Sequence, residues 1–164
     1  MTLTPDPAVI AWLDQEDKRT AQTIRRHGVS IEYVGGDMRR RATPFAYTIG
    51  LFGMGHPELL VFGLDARTTG LLLNDVADRV RQGSDIVPGQ VLEFAGWNHR
   101  VTVESVPNPG EIAFAANRFY QRPGEASVGL LQLTYDDRDG RFPWDEGYSN
   151  AVWIQPRPGT FTAW

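Results

Sequence analysis

The residue types most suited to chemistry lie in a short connection between two apolar runs. His56 and Glu58 flank Pro57 in the segment TPFAYTIGLFGMGHPELLVFGL, which spans residues 43–64. A carboxylate within reach of an imidazole can raise its pKa and orient one ring nitrogen. The pair therefore predicts a general base or a ligand clamp. The alternative is that His56 caps the loop and Glu58 accepts backbone N–H bonds, as tight Gly/Pro connections often require.

Polar and aromatic side chains elsewhere in the chain form a second candidate group. Tyr47 and Gln132 stand in apolar runs that predict strands, and a buried polar group either finds a partner or faces a cavity. The aromatic segment 142–145, FPWD, either lines a pocket or plugs the open end of the sheet. We therefore expect a small-molecule-binding pocket built from polar and aromatic side chains in or beside apolar strands: Tyr47, His56, Glu58, Gln132, Trp144 and Asp145.

Complete catalytic and cofactor motifs are missing from the sequence. The chain has no cysteine, which excludes thiol nucleophiles, thiolate zinc sites and iron–sulfur clusters. Its three histidines, His27, His56 and His99, lack HExxH or HxH spacing, so we expect no metal site. The glycine-rich stretch 50–55 lacks the Lys-Ser/Thr of a phosphate-binding loop. Catalytic residues, cofactor and ligand therefore stay unknown, and so does whether the protein is an enzyme.

Length and composition favour one soluble globular domain. The 164 residues are 41% hydrophobic and 22% charged, with a formal net charge of −4. An acidic chain is a poor partner for nucleic acid, and the basic run Arg39–Arg41 reads as a solvated loop. No apolar run approaches the roughly 20 residues that span a bilayer, and no signal peptide is recognisable. We expect a cytoplasmic protein without nucleic-acid or membrane partners, compatible with a homodimer.

Capping residues and apolar periodicity predict the regular elements. The predicted helices begin after Asp6, after Asp65 and after the segment 109–111, and they cover 7–27, 66–82 and 112–120. The predicted strands have apolar or alternating patterns and cover 29–34, 45–51, 59–64, 90–95, 100–106, 128–135 and 151–154, with residues 96–99 as a hairpin connection.

This order of elements predicts a single α+β domain over residues 1–164. Strands outnumber helices and most neighbouring strands look hairpin-connected, which favours a mostly antiparallel sheet with about three flanking helices. A barrel-like closure of the sheet is also compatible with this pattern. We expect residues 1–8 and 157–164 to be peripheral tails.

The motifs FAYTIGL, GHPELLVFGL and LLQLTYDDRDGRFPWDEGY, in this order, resemble the bacterial family catalogued as domain of unknown function 4262. The resemblance covers roughly residues 27–156. It implies a small cytoplasmic bacterial protein and implies no activity. The family signature falls on these residues: Tyr47, Thr48, Gly50, His56, Pro57, Glu58, Gly63, Gln132, Asp139, Gly140, Pro143 and Trp144.

Three functional hypotheses follow from the sequence. The first is a small-molecule-binding domain that uses the pocket described above. The second is a protein-interaction or immunity-type module with an exposed aromatic segment, Phe142 to Trp164, as its interface. The third rests on a similarity of layout to split-barrel flavin-binding proteins, and it predicts a flavin- or nucleotide-dependent oxidoreductase.

Overall fold

A six-stranded sheet organises the chain. The structure is a computed structural model that describes residues 4–40 and 42–163. Arg41 of the basic run, Trp164 of the aromatic segment and residues 1–3 of the predicted tail lie outside the described residues. The strands, in chain order, are β1 (Ser30–Val34), β2 (Phe45–Ile49), β3 (Glu58–Phe62), β4 (Val91–Phe94), β5 (Trp97–Ser105) and β6 (Leu130–Tyr135).

The sheet is open, with the spatial order β1-β2-β3-β6-β5-β4. β3 and β6 pair in parallel and the other neighbours pair antiparallel, so the α+β class and the mostly antiparallel sheet are confirmed. The barrel-like closure is wrong, because β1 and β4 are the two edges and no pairing joins them within the described residues. The parallel pair arises because α2 (Ala66–Arg81), the β4–β5 hairpin and α3 (Phe114–Phe119) intervene between β3 and β6, which returns the chain in the same direction.

Three helices flank the sheet, namely α1 (Pro7–His27), α2 (Ala66–Arg81) and α3 (Phe114–Phe119). The predicted caps of the first two are confirmed. Asp6 accepts a bond from Ala8 N at 2.8 Å, and Asp65 accepts one from Thr68 N at 2.8 Å. The third helix is shorter than the predicted 112–120, because it starts only at Phe114, after the separate 3₁₀ turn at Pro109–Glu111, and ends at Phe119.

The two faces of the sheet are covered by different elements. α2 covers one face, and its apolar side packs with the inward residues of the central strands, among them Leu59, Val61, Val101, Val103, Leu131, Leu133, Leu72, Leu73 and Val76. The opposite face is apolar under α3, where the buried group includes Phe45, Tyr47, Leu60, Phe62, Leu130, Ala115 and Ala116. α1 has no buried residue, and Trp12 on it is 60% exposed.

Two details of the predicted strands and one segment of the chain differ from expectation. The connection between β4 and β5 is shorter than 96–99, since Phe94 already pairs with Trp97 across a tight turn. Residues 151–154 form a turn rather than a strand, closed by a bond from Ile154 N to Ala151 O. After Pro156, the ring of Phe161 packs edge-on against the sheet's aromatic side chains, 4.9 Å from Phe62. That part of the C-terminal segment therefore contributes to the core.

Candidate functional site

Glu58 holds the loop that follows β2. Its carboxylate is fully buried and accepts four hydrogen bonds, from Thr48 Oγ1 at 2.8 Å, Gly50 N at 3.0 Å, Leu51 N at 3.0 Å and Phe52 N at 3.1 Å. Burial raises the pKa of Glu58, and the four donors oppose that effect because they favour the charged form. The carboxylate thus fills a nest of backbone N–H groups that would otherwise stay unpaired.

Gly50 makes this nest possible. Its φ of +138° lies in a region that side chains disfavour, and a Cβ there would stand 3.1 Å from Gly28 O. The backbone can therefore turn sharply enough to aim consecutive N–H groups at Glu58. This is the loop-bonding role that the sequence left as the alternative, and a ligand-binding role for Glu58 stays a prediction.

His56 bridges two segments of backbone. Its Nδ1 lies 2.7 Å from Pro57 O, and Ile86 N donates to its Nε2 at 3.3 Å. These partners fit the neutral tautomer that carries its proton on Nδ1. His56 and Glu58 are near in sequence, yet their side chains bond to different partners, and His56 ties the loop to the chain that leads into β4.

Tyr47 and Gln132 are both buried, and each has a backbone partner. The Tyr47 hydroxyl accepts a bond from Ala115 N at 2.9 Å, which fixes α3 to the sheet. Burial raises the pKa of Tyr47, so its phenol is neutral near pH 7. Gln132 Nε2 donates to Pro156 O at 2.8 Å, which attaches the C-terminal segment to β6.

The half of the second sheet face formed by β5 and β6 is polar. Glu104 and Gln132 are register partners there, as are Thr102 and Thr134. Arg157 binds Glu104 with two parallel hydrogen bonds of 2.7 Å each, and Thr134 Oγ1 donates to Glu104 Oε1 at 2.7 Å. A bidentate guanidinium–carboxylate pair has fixed geometry as well as charge. This polar half-face is contacted by the C-terminal segment, through Pro156 and Arg157, rather than by α2 or α3.

An open groove of about 610 Å³ lies beside this ion pair. The Trp144 indole forms part of its wall, stacks on Phe142 at 5.0 Å with an interplanar angle of 5°, and lies 5.1 Å from the Arg157 guanidinium. Trp144 is 50% exposed. The groove is lined by polar, charged and ring-containing residues together with Gly89 and Val103. They are Pro88, Gly89, Thr102, Val103, Glu104, Ser105, Trp144, Arg157 and Pro158.

The predicted site residues are therefore divided among separate places. Trp144 lines the groove, and Gln132 neighbours its Glu104 in the sheet. Asp145 is exposed and accepts a bond from Phe142 N at 2.8 Å, so it closes the turn that carries Trp144. The other three predicted residues are His56 and Glu58, which hold the loop between β2 and β3, and Tyr47, which lies under α3. The sequence missed Glu104 and Arg157, and the only signal for Glu104 was the polar alternation of its strand.

A second pair that the sequence missed is His99 with Asp136. Asp136 is 2% exposed, and its Oδ1 lies 2.7 Å from His99 Nδ1. Within the described residues, the Nε2 atom of His99 has no hydrogen-bond partner. A buried carboxylate that orients an imidazole in this way resembles the acid–base pairs of enzymes. No reactive partner for it is evident among the residues that the structure describes.

Asp137, the next residue, is structural. It accepts bonds from Asp139 N, Arg141 N, Ser149 N and Ser149 Oγ, at 2.9 to 3.0 Å. Burial by itself would raise the pKa of Asp137, but these hydrogen bonds outweigh it and lower the pKa to about 2. The carboxylate fixes the turn after β6 and attaches it to the segment that follows Trp144.

The fold and the groove define an α+β domain with an open mixed sheet. The chain belongs to the family described as Domain of unknown function (DUF4262), whose family model matches residues 23–149. The resemblance noted in the sequence is thereby confirmed. Trp144 and Glu104 lie inside the matched span, and Arg157 lies beyond it. No curated protein and no solved structure matches the chain.

Over residues 4–40 and 42–163, none of the helices combines the length and apolar character that crossing a bilayer requires. Over the same residues, no three His, Cys, Asp or Glu side chains gather in a way that could hold a metal ion.

Proposed function

We propose that this domain binds a small molecule in the groove between Trp144 and the Glu104–Arg157 pair. The observation that carries the proposal is the polar half-face, which places a bidentate ion pair and a half-exposed indole around one open space. Binding sites typically combine apolar walls with a few fixed polar groups that orient the ligand.

Stability alone is a weak reason for this ion pair. Replacing a largely buried ion pair with well-packed apolar residues is often neutral or stabilising. The neighbouring half of the same sheet face is apolar and closed by α3 and Phe161. If this sheet face needed only to be covered, apolar side chains could continue across β5 and β6. The polar side chains found there instead favour recognition of a ligand.

A ligand screen by nuclear magnetic resonance tests the proposal. In spectra of the ¹⁵N-labelled chain, the Trp144 indole N–H signal is identified by its loss in Trp144→Ala. We expect at least one compound of a diverse library to shift this signal saturably. The matched control is Trp12→Ala, which removes an exposed indole from α1 and should leave binding unchanged. A library that never shifts the Trp144 signal would refute the proposal.

The other two functional hypotheses give different results in the same preparation. The C-terminal segment predicted as a protein interface exposes less aromatic surface than that hypothesis requires, because Phe142 is buried and Phe161 packs on the sheet. A stoichiometric protein partner whose binding is lost in Trp144→Ala would favour it. A visible chromophore in the purified protein, or saturable binding of added flavin, would favour the oxidoreductase hypothesis.

A further inference from the structure

We infer that the groove ligand is a neutral polyhydroxylated ring compound, such as a mono- or oligosaccharide. This inference rests on the proposed function, because it names the class of ligand for the same groove. It follows from three properties of the groove, which are its charge balance, its open shape and the kinds of group on its walls.

The charge balance of the groove disfavours an ionic ligand. Its charged lining residues are one acid and one base, Glu104 and Arg157, and they neutralise each other through two hydrogen bonds. A phosphate or carboxylate would have to compete with Glu104 for the guanidinium, and an ammonium group would have to compete with Arg157 for the carboxylate. A neutral ligand leaves the ion pair intact.

The open shape disfavours a predominantly apolar ligand. A drug-sized apolar molecule binds well when a cavity removes most of its surface from water. This groove beside β5 remains open to solvent. It therefore suits a ligand that stays partly hydrated and gains affinity from hydrogen bonds and one stacking contact.

The walls offer what the hydroxyls and C–H faces of a sugar ring need. Arg157 has five N–H donors and uses two on Glu104, so three remain for ligand oxygens. Thr102, on the same face of β5 as Glu104, adds a hydroxyl group that both donates and accepts. Phe142 stacks on the Trp144 indole and the Arg157 guanidinium lies over the ring, 5.1 Å from its centroid. The half of the side chain that stays exposed therefore lies at the ring edges and the uncovered part of its face, where C–H groups can pack.

A peptide or a nucleoside fits this surface less well. The backbone of β5 is paired with β4 as far as Thr102 and with Gly89 and Gln90 at Val103, so little of it is left to extend the sheet with a peptide strand. Recognition of proline-rich segments uses grooves lined by several aromatic rings, and here the lining contains one. A nucleoside could stack on Trp144, and it is therefore included as a competing probe.

The experiment adds glucose, N-acetylglucosamine, cellobiose and maltotriose separately, and adenosine and a hexaproline peptide as competing probes, to the ¹⁵N-labelled full chain. We expect at least one saccharide to shift the Trp144 indole signal saturably, with a dissociation constant near the millimolar range. A second variant, Thr102→Phe, fills the groove from a half-buried strand position on the face of Glu104. It should weaken binding of that saccharide by about tenfold or more, even if Trp144→Ala proves unstable. Trp12→Ala should bind it like the wild type.

Three outcomes would overturn the inference, and they differ in what they say about the groove. If adenosine, hexaproline or another library compound shifts the Trp144 signal and no saccharide does, the ligand class is wrong and the proposed function stands. If no compound of any class shifts it, both are refuted. If a saccharide binds equally well to Thr102→Phe, it binds outside the groove, which also overturns the inference.

Discussion

Replacing Glu58 with Gln tests whether this carboxylate is a structural centre of the fold. Four donors converge on its two oxygens, and three of them are backbone N–H groups that cannot turn away. A Gln side chain keeps the volume, but its single amide oxygen can accept from about two donors, and its NH₂ group faces the others. The change therefore leaves donors unpaired in the interior.

The expected loss can be worked out from those donors. Each buried donor without an acceptor costs roughly 1–3 kcal/mol, so two of them cost about 2–6 kcal/mol. Because burial raises the pKa of Glu58, part of the hydrogen-bond energy already offsets desolvation, which favours the lower half of that range. Domains of this kind are stable by about 5–15 kcal/mol, so Glu58→Gln should remain folded with a clearly lower unfolding midpoint.

Urea unfolding at pH 7, followed by circular dichroism, measures this loss. The matched control is Glu93→Gln on the edge strand β4, where the side chain is exposed and the same chemical change should alter stability by about 0.5 kcal/mol or less. A double-mutant cycle with Thr48→Val isolates the Thr48–Glu58 bond. If Glu58→Gln unfolded at the same urea concentration as Glu93→Gln, the structural role of Glu58 would be refuted.

Three further changes probe local geometry. Asp137→Asn should destabilise the protein at pH 7 but much less near pH 2. The lowered pKa of folded Asp137 gives stability that is present above the ordinary pKa of 3.8 and is lost as the pH falls toward 2. Urea unfolding midpoints measured across this pH range test the prediction. Diethyl pyrocarbonate should modify His99 faster than His56, whose two ring nitrogens are bonded, and equal rates by peptide mass spectrometry would contradict this. Gly50→Ala should cost about 1–3 kcal/mol, more than Gly83→Ala, which has positive φ without crowding, and thermal unfolding ranks the two.

Local sequence signals predicted most of the regular structure. Asp6, Asp65 and Gly28 are recognisable caps because capping involves residues within one turn of each other. The buried strands β2, β3 and β6 were recognisable as apolar runs. The closure of the sheet was not predictable in this way, because it depends on whether β1 and β4 meet, and no local pattern encodes that contact.

The site was less predictable because its pairs are distant in sequence. Glu104 and Arg157 are 53 residues apart, and His99 and Asp136 are 37 apart. Each pair forms only once the register of β5 on β6 and the path of the C-terminal segment are set. His56 and Glu58 were recognisable as a candidate pair because they are only two residues apart in the chain. Nearness in the chain, however, does not determine which groups two side chains bond to.

Two kinds of buried polar group can be separated in this domain by asking what each one satisfies. Glu58 accepts bonds from three backbone N–H groups, which no conservative change of side chain can remove. Glu104 accepts bonds from Thr134 and Arg157, and both donors are side chains that could have been apolar without leaving a backbone group unpaired. The fold therefore requires Glu58 in a sense in which it does not require Glu104. That difference is the physical reason to look for the ligand at the groove and to treat the loop that first drew attention as part of the scaffold.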